Sequence, residues 1–134
     1  MIDSKSLSSW TPYALAILRI VAGLIFLEHG TQKLLGFPAG ERAFVEAFTL
    51  SWWAGLLELI LGTLITLGLF TRVAAFFASG EMAVAYWLAH APRNFFPVNN
   101  DGDAAILYCF VFLFLVFAGP GKWSVDGWRG TEEA

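Results

Sequence analysis

Cysteine and charged residues are scarce in this sequence, and each shortage excludes a class of protein. Cys109 is the only cysteine among 134 residues, so the chain can form neither an internal disulfide nor a CxxC redox pair. Charged residues make up 14% of the chain, against about 25% in soluble proteins. The formal net charge of −3 leaves no basic excess, which argues against nucleic acid as a partner.

Apolar residues are correspondingly abundant, at 57% of the sequence. Soluble domains are about 45–50% apolar, and a chain of this length has too little interior to hide the excess from water. We therefore expect the lipid bilayer to surround most of the protein. The N-terminal residues lack a basic stretch followed by a short apolar segment and a small-residue cleavage site, so we expect no cleaved signal peptide.

Four apolar stretches predict four transmembrane helices in a single domain that covers residues 1–134. Their approximate limits are 12–35, 50–70, 71–91 and 103–118, and each is close to the ~20 residues that cross a bilayer core. The sequence therefore predicts an all-α fold, an integral membrane four-helix bundle.

The connection between the first two spans has a pattern of its own. In residues 39–50, Phe44, Val45 and Phe48 share one face of a hypothetical helix, opposite Glu41 and Arg42. This amphipathic pattern predicts a short helix that lies in the headgroup region.

Four spans place both termini on the same side of the membrane, and the basic residues favour one orientation. Four of them are expected on the side of the termini and three on the other side, so we expect both termini in the cytoplasm. The first group is Lys5, Arg72, Lys122 and Arg129, and the second is Lys33, Arg42 and Arg93.

The most informative residues are the ionisable ones inside the apolar spans. A charge at the centre of a bilayer costs about 2.5–3.5 kcal/mol on insertion scales, so such residues normally face the bundle interior or a water-filled cavity. They are Arg19, Glu28, His29, Glu58, Glu81 and His90.

Their depths predict a polar pocket. At about 1.5 Å per residue, the three glutamates fall at a similar depth, and Arg19 lies nearer the opposite side, as a floor. Small residues flank Arg19, Glu58 and Glu81 on their helix faces, which allows helices to approach closely in lipid. Tyr108 lies one turn from the polar loop before the fourth span and can place its hydroxyl at the mouth. The candidate ligand-binding residues are Arg19, His29, Lys33, Glu58, Glu81, His90 and Tyr108.

The same residues allow other interpretations. In one alternative, Arg19 forms a structural ion pair with Glu58 or Glu81. In another, the acidic residues relay protons or ions. A haem held by His29 and His90, or a carboxylate–histidine metal site, is weakly indicated, because Glu28 and His29 are adjacent and the E-x-x-H spacing of di-iron bundles is absent. We predict no metal site, and the pattern identifies no catalytic residue.

At the level of motifs, the stretch 18–35, LRIVAGLIFLEHGTQKLL, resembles the first helix of the DoxX family of small bacterial membrane proteins. Residues 58–72 are similar to that family's second helix and hinge, and GPGKWSVD at 119–126 resembles its G-P-G-x-W-S-x-D ending. In one subgroup of that family the loop before the fourth helix reads N-G-G-E or N-G-G-D, and NDGD at 100–103 departs from this motif. The family's Arg, Gly and H-G-x-x-K pattern is met by Arg19, Gly23, His29, Gly30 and Lys33.

The resemblance implies a four-helix bundle in the bacterial inner membrane and a looser expectation about function. The family takes its name from a subunit associated with quinol oxidase or thiosulfate:quinone oxidoreductase, and many members are described as oxidoreductases without a defined reaction. We hypothesise a redox-associated accessory subunit that binds a small apolar or quinone-like molecule, or a redox partner protein. The alternatives are proton, ion or small-solute transport by a homo-oligomer, and a non-catalytic membrane scaffold.

Overall fold

The computed structural model describes residues 3–130, and all of the regular structure in that range is helical. The all-α prediction is confirmed for these residues, whereas residues 1–2 and 131–134 of the predicted domain lie outside the described range. The helices are α1 (Ser4–Ser9), α2 (Thr11–Leu35), α3 (Leu50–Leu67), α4 (Thr71–Ala85), α5 (Pro97–Asn100), α6 (Asp103–Ala118) and α7 (Val125–Trp128).

The four long helices coincide with the four predicted apolar stretches. The third stretch is α4 followed by a π-helical turn, Tyr86–His90, so its backbone widens near the end. Two helices, α2 and α3, are long and apolar enough to cross a membrane, each with a mean hydropathy of 1.6. At 16 residues, α6 is apolar but shorter.

The predicted interfacial helix over 39–50 is wrong. The segment consists of turns and bends, and Phe44 and Phe48 have left-handed φ angles of 54° and 64°, which a helix excludes. The amides of Phe44 and Val45 donate to the carbonyls of Gln32 and Lys33. Carbonyls in the last turn of a helix have no partner within it, so the segment folds back to cap α2 instead of forming a helix.

The hinge between α3 and α4 is held by the C-terminal segment. Gly68 ends α3 in the left-handed conformation, and the carboxylate of Asp126 accepts hydrogen bonds from the Phe70 amide and from the amide and hydroxyl of Thr71. Burial raises the pKa of Asp126, but these hydrogen bonds outweigh it and hold the pKa below its usual range. A residue 55 positions away in sequence thus caps the start of α4.

Two helix pairs make up most of the packing, α2 with α3 and α4 with α6, and α3 also contacts α4. Ala74, Ala75 and Ala78 give α4 a flat inner face, and Phe26 packs edge-on against Phe112 at 4.9 Å in the core. The outward faces carry large apolar side chains, more than 45% exposed, which in a membrane protein contact lipid. Examples from α2, α3, α4 and α6 are Ile17, Val21, Leu57, Ile60, Phe76, Phe77, Phe110 and Phe117.

Candidate functional site

The seven predicted site residues separate into three places. Five of them form one region where α2, α3, α4 and α6 come together: His29, Lys33, Glu58, Glu81 and Tyr108. Arg19 lies about 21 Å from Lys33 along α2, at 1.5 Å per residue. His90 lies in the π-helical turn beyond α4 and contacts a loop.

An ion pair joins α2 to α3 at the centre of the main region. Lys33 Nζ donates to Glu58 Oε1 at 2.7 Å, and Glu58 is only 3% exposed. The pair is close because the two backbones touch at glycines. A Cβ on Gly30 would lie 2.5 Å from the Leu59 amide nitrogen, and one on Gly55 would lie 2.9 Å from Lys33 Cβ. The hypothesis that Arg19 pairs with Glu58 or Glu81 is therefore wrong, since Lys33 takes that role.

Glu81 reaches the same region from α4. Both of its carboxylate oxygens are buried, and within residues 3–130 neither has a hydrogen-bond partner; the same holds for Glu58 Oε2. Glu81 interacts electrostatically with Glu58 and with Lys33. Three buried acceptor atoms thus accompany one ammonium group, which donates to Glu58 Oε1. Buried polar atoms are normally hydrogen-bonded, so these three distinguish the region from ordinary packing.

A groove of about 290 Å³ opens beside this cluster, between α2 and α6. It is lined by Ile25, Glu28, His29, Gln32 and Tyr108. The rings of His29 and Tyr108 meet edge-on at 6.0 Å, and Tyr108 interacts electrostatically with Glu28 in the groove and with Glu58 behind it. Tyr108 is thus the groove residue that also senses the charge of Glu58.

Sequence reasoning missed part of the groove. Ile25, Glu28 and Gln32 line the groove but are not among the predicted ligand-binding residues. Their spacing is a signal in the sequence, because positions 25, 28, 29 and 32 are three or four residues apart and therefore share one face of a helix.

Arg19 is a structural clamp, and the prediction that it forms the floor of the pocket is wrong. It is fully buried, and its guanidinium makes five hydrogen bonds with main-chain carbonyls and none with a carboxylate in the described residues. The acceptor carbonyls lie at two chain reversals, where helix partners are incomplete; the Ile65 carbonyl also accepts from the Gly68 amide. The acceptors are Ile65 and Thr66 at the end of α3 (2.9 and 2.6 Å), and Pro120, Lys122 and Trp123 after α6 (2.7, 3.2 and 2.8 Å).

His90 also has a structural environment. Its Nδ1 lies 3.0 Å from the Asn100 carbonyl, and its ring stacks on Tyr86. Asn100 is 1% exposed, and its amide nitrogen donates to Asn94 and Tyr86 while its side-chain oxygen accepts from Gly102. Sequence reasoning read Asn100 only as a loop residue. In the structure it orders the connection between α4 and α6.

The described part of the chain contains no evident metal-binding site. Within residues 3–130, no group of three or more His, Cys, Asp and Glu side chains is arranged to hold a metal ion. His29 faces the groove, whereas His90 bonds to the loop, so the two histidines have different neighbours. Cys109 is half-buried, and its main-chain carbonyl accepts a hydrogen bond from Ser79.

Comparison with known proteins identifies relatives over nearly the whole chain. The DoxX family model matches residues 14–91. An uncharacterized protein of Haemophilus influenzae is 43% identical over 129 residues, which cover 91% of this chain and 95% of that protein. An uncharacterized membrane protein of Mycobacterium tuberculosis is 34% identical over 131 residues, covering 86% of this chain and 80% of its own length. No solved structure matches the chain.

Proposed function

The chain belongs to the DoxX family of membrane proteins, and from this premise we propose that it is a multi-pass protein of the bacterial inner membrane. In this proposal α2, α3, α4 and α6 all cross the bilayer as a four-helix bundle. With its π-helical turn, α4 extends over 20 residues, about 30 Å at 1.5 Å per residue. The excess of basic residues near the chain ends and the α3–α4 hinge favours cytoplasmic termini.

Within the membrane, the protein is a redox-associated accessory subunit that binds a small apolar or quinone-like molecule in the groove. The observation that supports this most is the placement of His29 and Tyr108 on one groove within apolar helices. Within residues 3–130 neither side chain has a hydrogen-bond partner of its own, so both can serve a ligand. Imidazole and phenol groups can donate hydrogen bonds to a carbonyl oxygen, which is the polar group of a quinone.

The groove also offers an apolar contact for a ring, the side chain of Ile25 and the face of Tyr108. The Tyr108 ring is held in place by the buried Phe26 and Phe112, each at 5.6 Å between centroids. Ligand sites of this kind combine apolar walls with a few polar groups that fix orientation. Since the single Cys109 cannot form a dithiol within the chain, electrons in a redox role would pass between the ligand and a partner protein.

Binding of a short-chain quinone to the purified protein in detergent tests this function. We expect the Tyr108→Phe and His29→Ala variants to bind about two- to tenfold more weakly, because one hydrogen bond contributes about 0.5–1.5 kcal/mol. The matched controls are Tyr86→Phe and His90→Ala, whose side chains lie outside the groove, and these should bind as the parent protein does. Equal binding by all four variants, or no binding by the parent, would reject the groove as the site.

Proton or cation transfer is the second candidate, and the three unpartnered carboxylate oxygens of Glu58 and Glu81 favour it. Intramembrane carboxylates are typical of proton and ion pathways. Flux into liposomes that carry the protein at defined density tests this candidate. A rate that exceeds that of empty liposomes and falls in the Glu81→Gln variant would support it, and a rate equal to that of empty liposomes would reject it.

A further inference from the structure

The cluster of Lys33, Glu58 and Glu81 lacks hydrogen-bond donors. It contains four carboxylate oxygens, of which Lys33 satisfies Glu58 Oε1, while Glu58 Oε2 and both Glu81 oxygens are buried without a partner in residues 3–130. An ionised carboxylate can only accept hydrogen bonds, so two ionised glutamates cannot satisfy each other. The missing component must be a donor.

The cluster also carries an unbalanced charge. With all three groups ionised, one ammonium faces two carboxylates, which leaves a net charge of −1 among apolar helices. An unpaired buried charge is strongly unfavourable, and the group usually becomes neutral instead. A single proton balances the charge and adds one hydrogen-bond donor to the cluster.

We infer that Glu58 and Glu81 bind one proton between them, and that this proton exchanges with water through the groove between α2 and α6. The proton turns one carboxyl group from an acceptor into a donor, and it lowers the net charge of the cluster to zero. The hydrogen bond from Lys33 Nζ to Glu58 Oε1 is retained.

The groove gives the proton a route to water. The inference rests on the proposed function for this route alone. Tyr108 lines the groove and interacts electrostatically with Glu58, while Glu28 is exposed at the groove mouth. Hydroxyl groups both donate and accept hydrogen bonds, so Tyr108 is placed to pass the proton. The charged and titratable groups that face the two glutamates from the surrounding elements are Lys33 (α2), Arg42 (the α2–α3 connection) and Tyr108 (α6).

Infrared spectroscopy of the ligand-free protein in lipid tests the inference, because a protonated carboxyl group has a C=O band distinct from that of a carboxylate. At neutral pH we expect such a band in the parent protein, shifted by D₂O and by ¹³C-labelling of glutamate. It should be absent from the Glu81→Gln variant and unchanged in Glu46→Gln, the matched control at an exposed position in the α2–α3 connection.

The Glu58→Gln variant distinguishes a shared proton from an isolated buried acid. With Glu58 neutral, Lys33 and Glu81 form a balanced pair, so the proton should leave and the band should disappear. A band that persists in Glu58→Gln would overturn the sharing. A parent protein without the band would overturn proton binding altogether, as would a band that appears only when sodium and potassium are removed, since an alkali cation would then occupy the cluster.

A variant that fails to fold does not compromise this test, because the isotope and pH responses are measured on the parent protein. The outcome is also separate from that of the quinone titration. A band that follows these expectations in a protein that binds no quinone would support the proton site and reject the proposed ligand. Quinone binding by a protein without the band would support the proposed ligand and reject the proton site.

Discussion

Lys33 Nζ lies 2.7 Å from Glu58 Oε1, and this contact is the ion pair that joins α2 to α3 within the apolar part of the molecule. Both residues lie where glycines bring the two backbones together, so the long lysine side chain folds back between the helices instead of extending to the membrane surface. The pair positions one carboxylate oxygen of Glu58 and leaves the other available for Glu81 or a ligand.

Replacing Lys33 by Met should destabilise the protein by about 3 kcal/mol, because it leaves a buried carboxylate without its partner. The double variant Lys33→Met with Glu58→Met should recover most of this loss, since an apolar pair carries no desolvation cost. Unfolding in mixed detergent micelles measures the stability of the single and the double variant. Arg93→Met is the control: Arg93 and Asp101 are exposed and 4.0 Å apart, so less than about 1 kcal/mol should be lost.

The Arg19→Lys variant should be less stable by roughly 2 kcal/mol or more, although the charge is kept. An ammonium has three donors in place of the planar five-donor fork, so at least two of the five carbonyls lose this donor. Ile65 keeps the Gly68 amide as a partner, and each buried acceptor left without any donor costs about 1–3 kcal/mol. Hydrogen–deuterium exchange should accelerate in residues 119–124. Arg42→Lys, in an exposed connection, should change neither quantity; equal effects at both positions would contradict the clamp.

Asp126 should make stability depend on pH in the acid range. Its folded pKa is below its usual value, so its contribution is complete above the unfolded pKa of about 3.9 and is lost as the pH falls through the folded pKa. Asp126→Asn should cost about 1–2 kcal/mol at pH 7, because the amide offers one acceptor oxygen where the carboxylate uses two. The difference in stability from the parent should narrow toward pH 2. Unfolding at several pH values measures this. Asp101→Asn, at an exposed position, should leave the profile unchanged.

Gly30→Ala should separate α2 from α3. The added Cβ would lie 2.5 Å from the Leu59 amide nitrogen and 2.8 Å from the Gly55 carbonyl oxygen, both main-chain atoms that cannot rotate away. We expect a loss of about 1–3 kcal/mol and a weaker Lys33–Glu58 contact. Gly80→Ala offers a close control, because no atom lies within 4 Å of its added Cβ. A Gly80 variant as unstable as the Gly30 variant would show that the loss does not come from the α2–α3 contact.

The extent of the long helices could be predicted from the sequence because it depends on local properties. Apolar runs of sufficient length, ended by Gly36, Gly68 and Gly119, have few other ways to satisfy their backbone groups. The exception was residues 39–50, whose amphipathic pattern suits a helix. Their amides instead bond to the end of α2, a tertiary contact that periodicity does not contain.

For the candidate site, the sequence by itself determined that Arg19, Glu58 and Glu81 lie inside the molecule, since the cost of placing charge in an apolar span makes each one conspicuous. It did not separate them from Glu28, which is exposed, and it did not indicate the buried Asp126. Only the tertiary structure decided their partners. Lys33 rather than Arg19 reaches Glu58, Arg19 binds main-chain carbonyls, and His90 joins Asn100. Carbonyl groups are identical in every residue, so their position as hydrogen-bond acceptors depends on how the chain reverses direction, which residue identities alone do not specify.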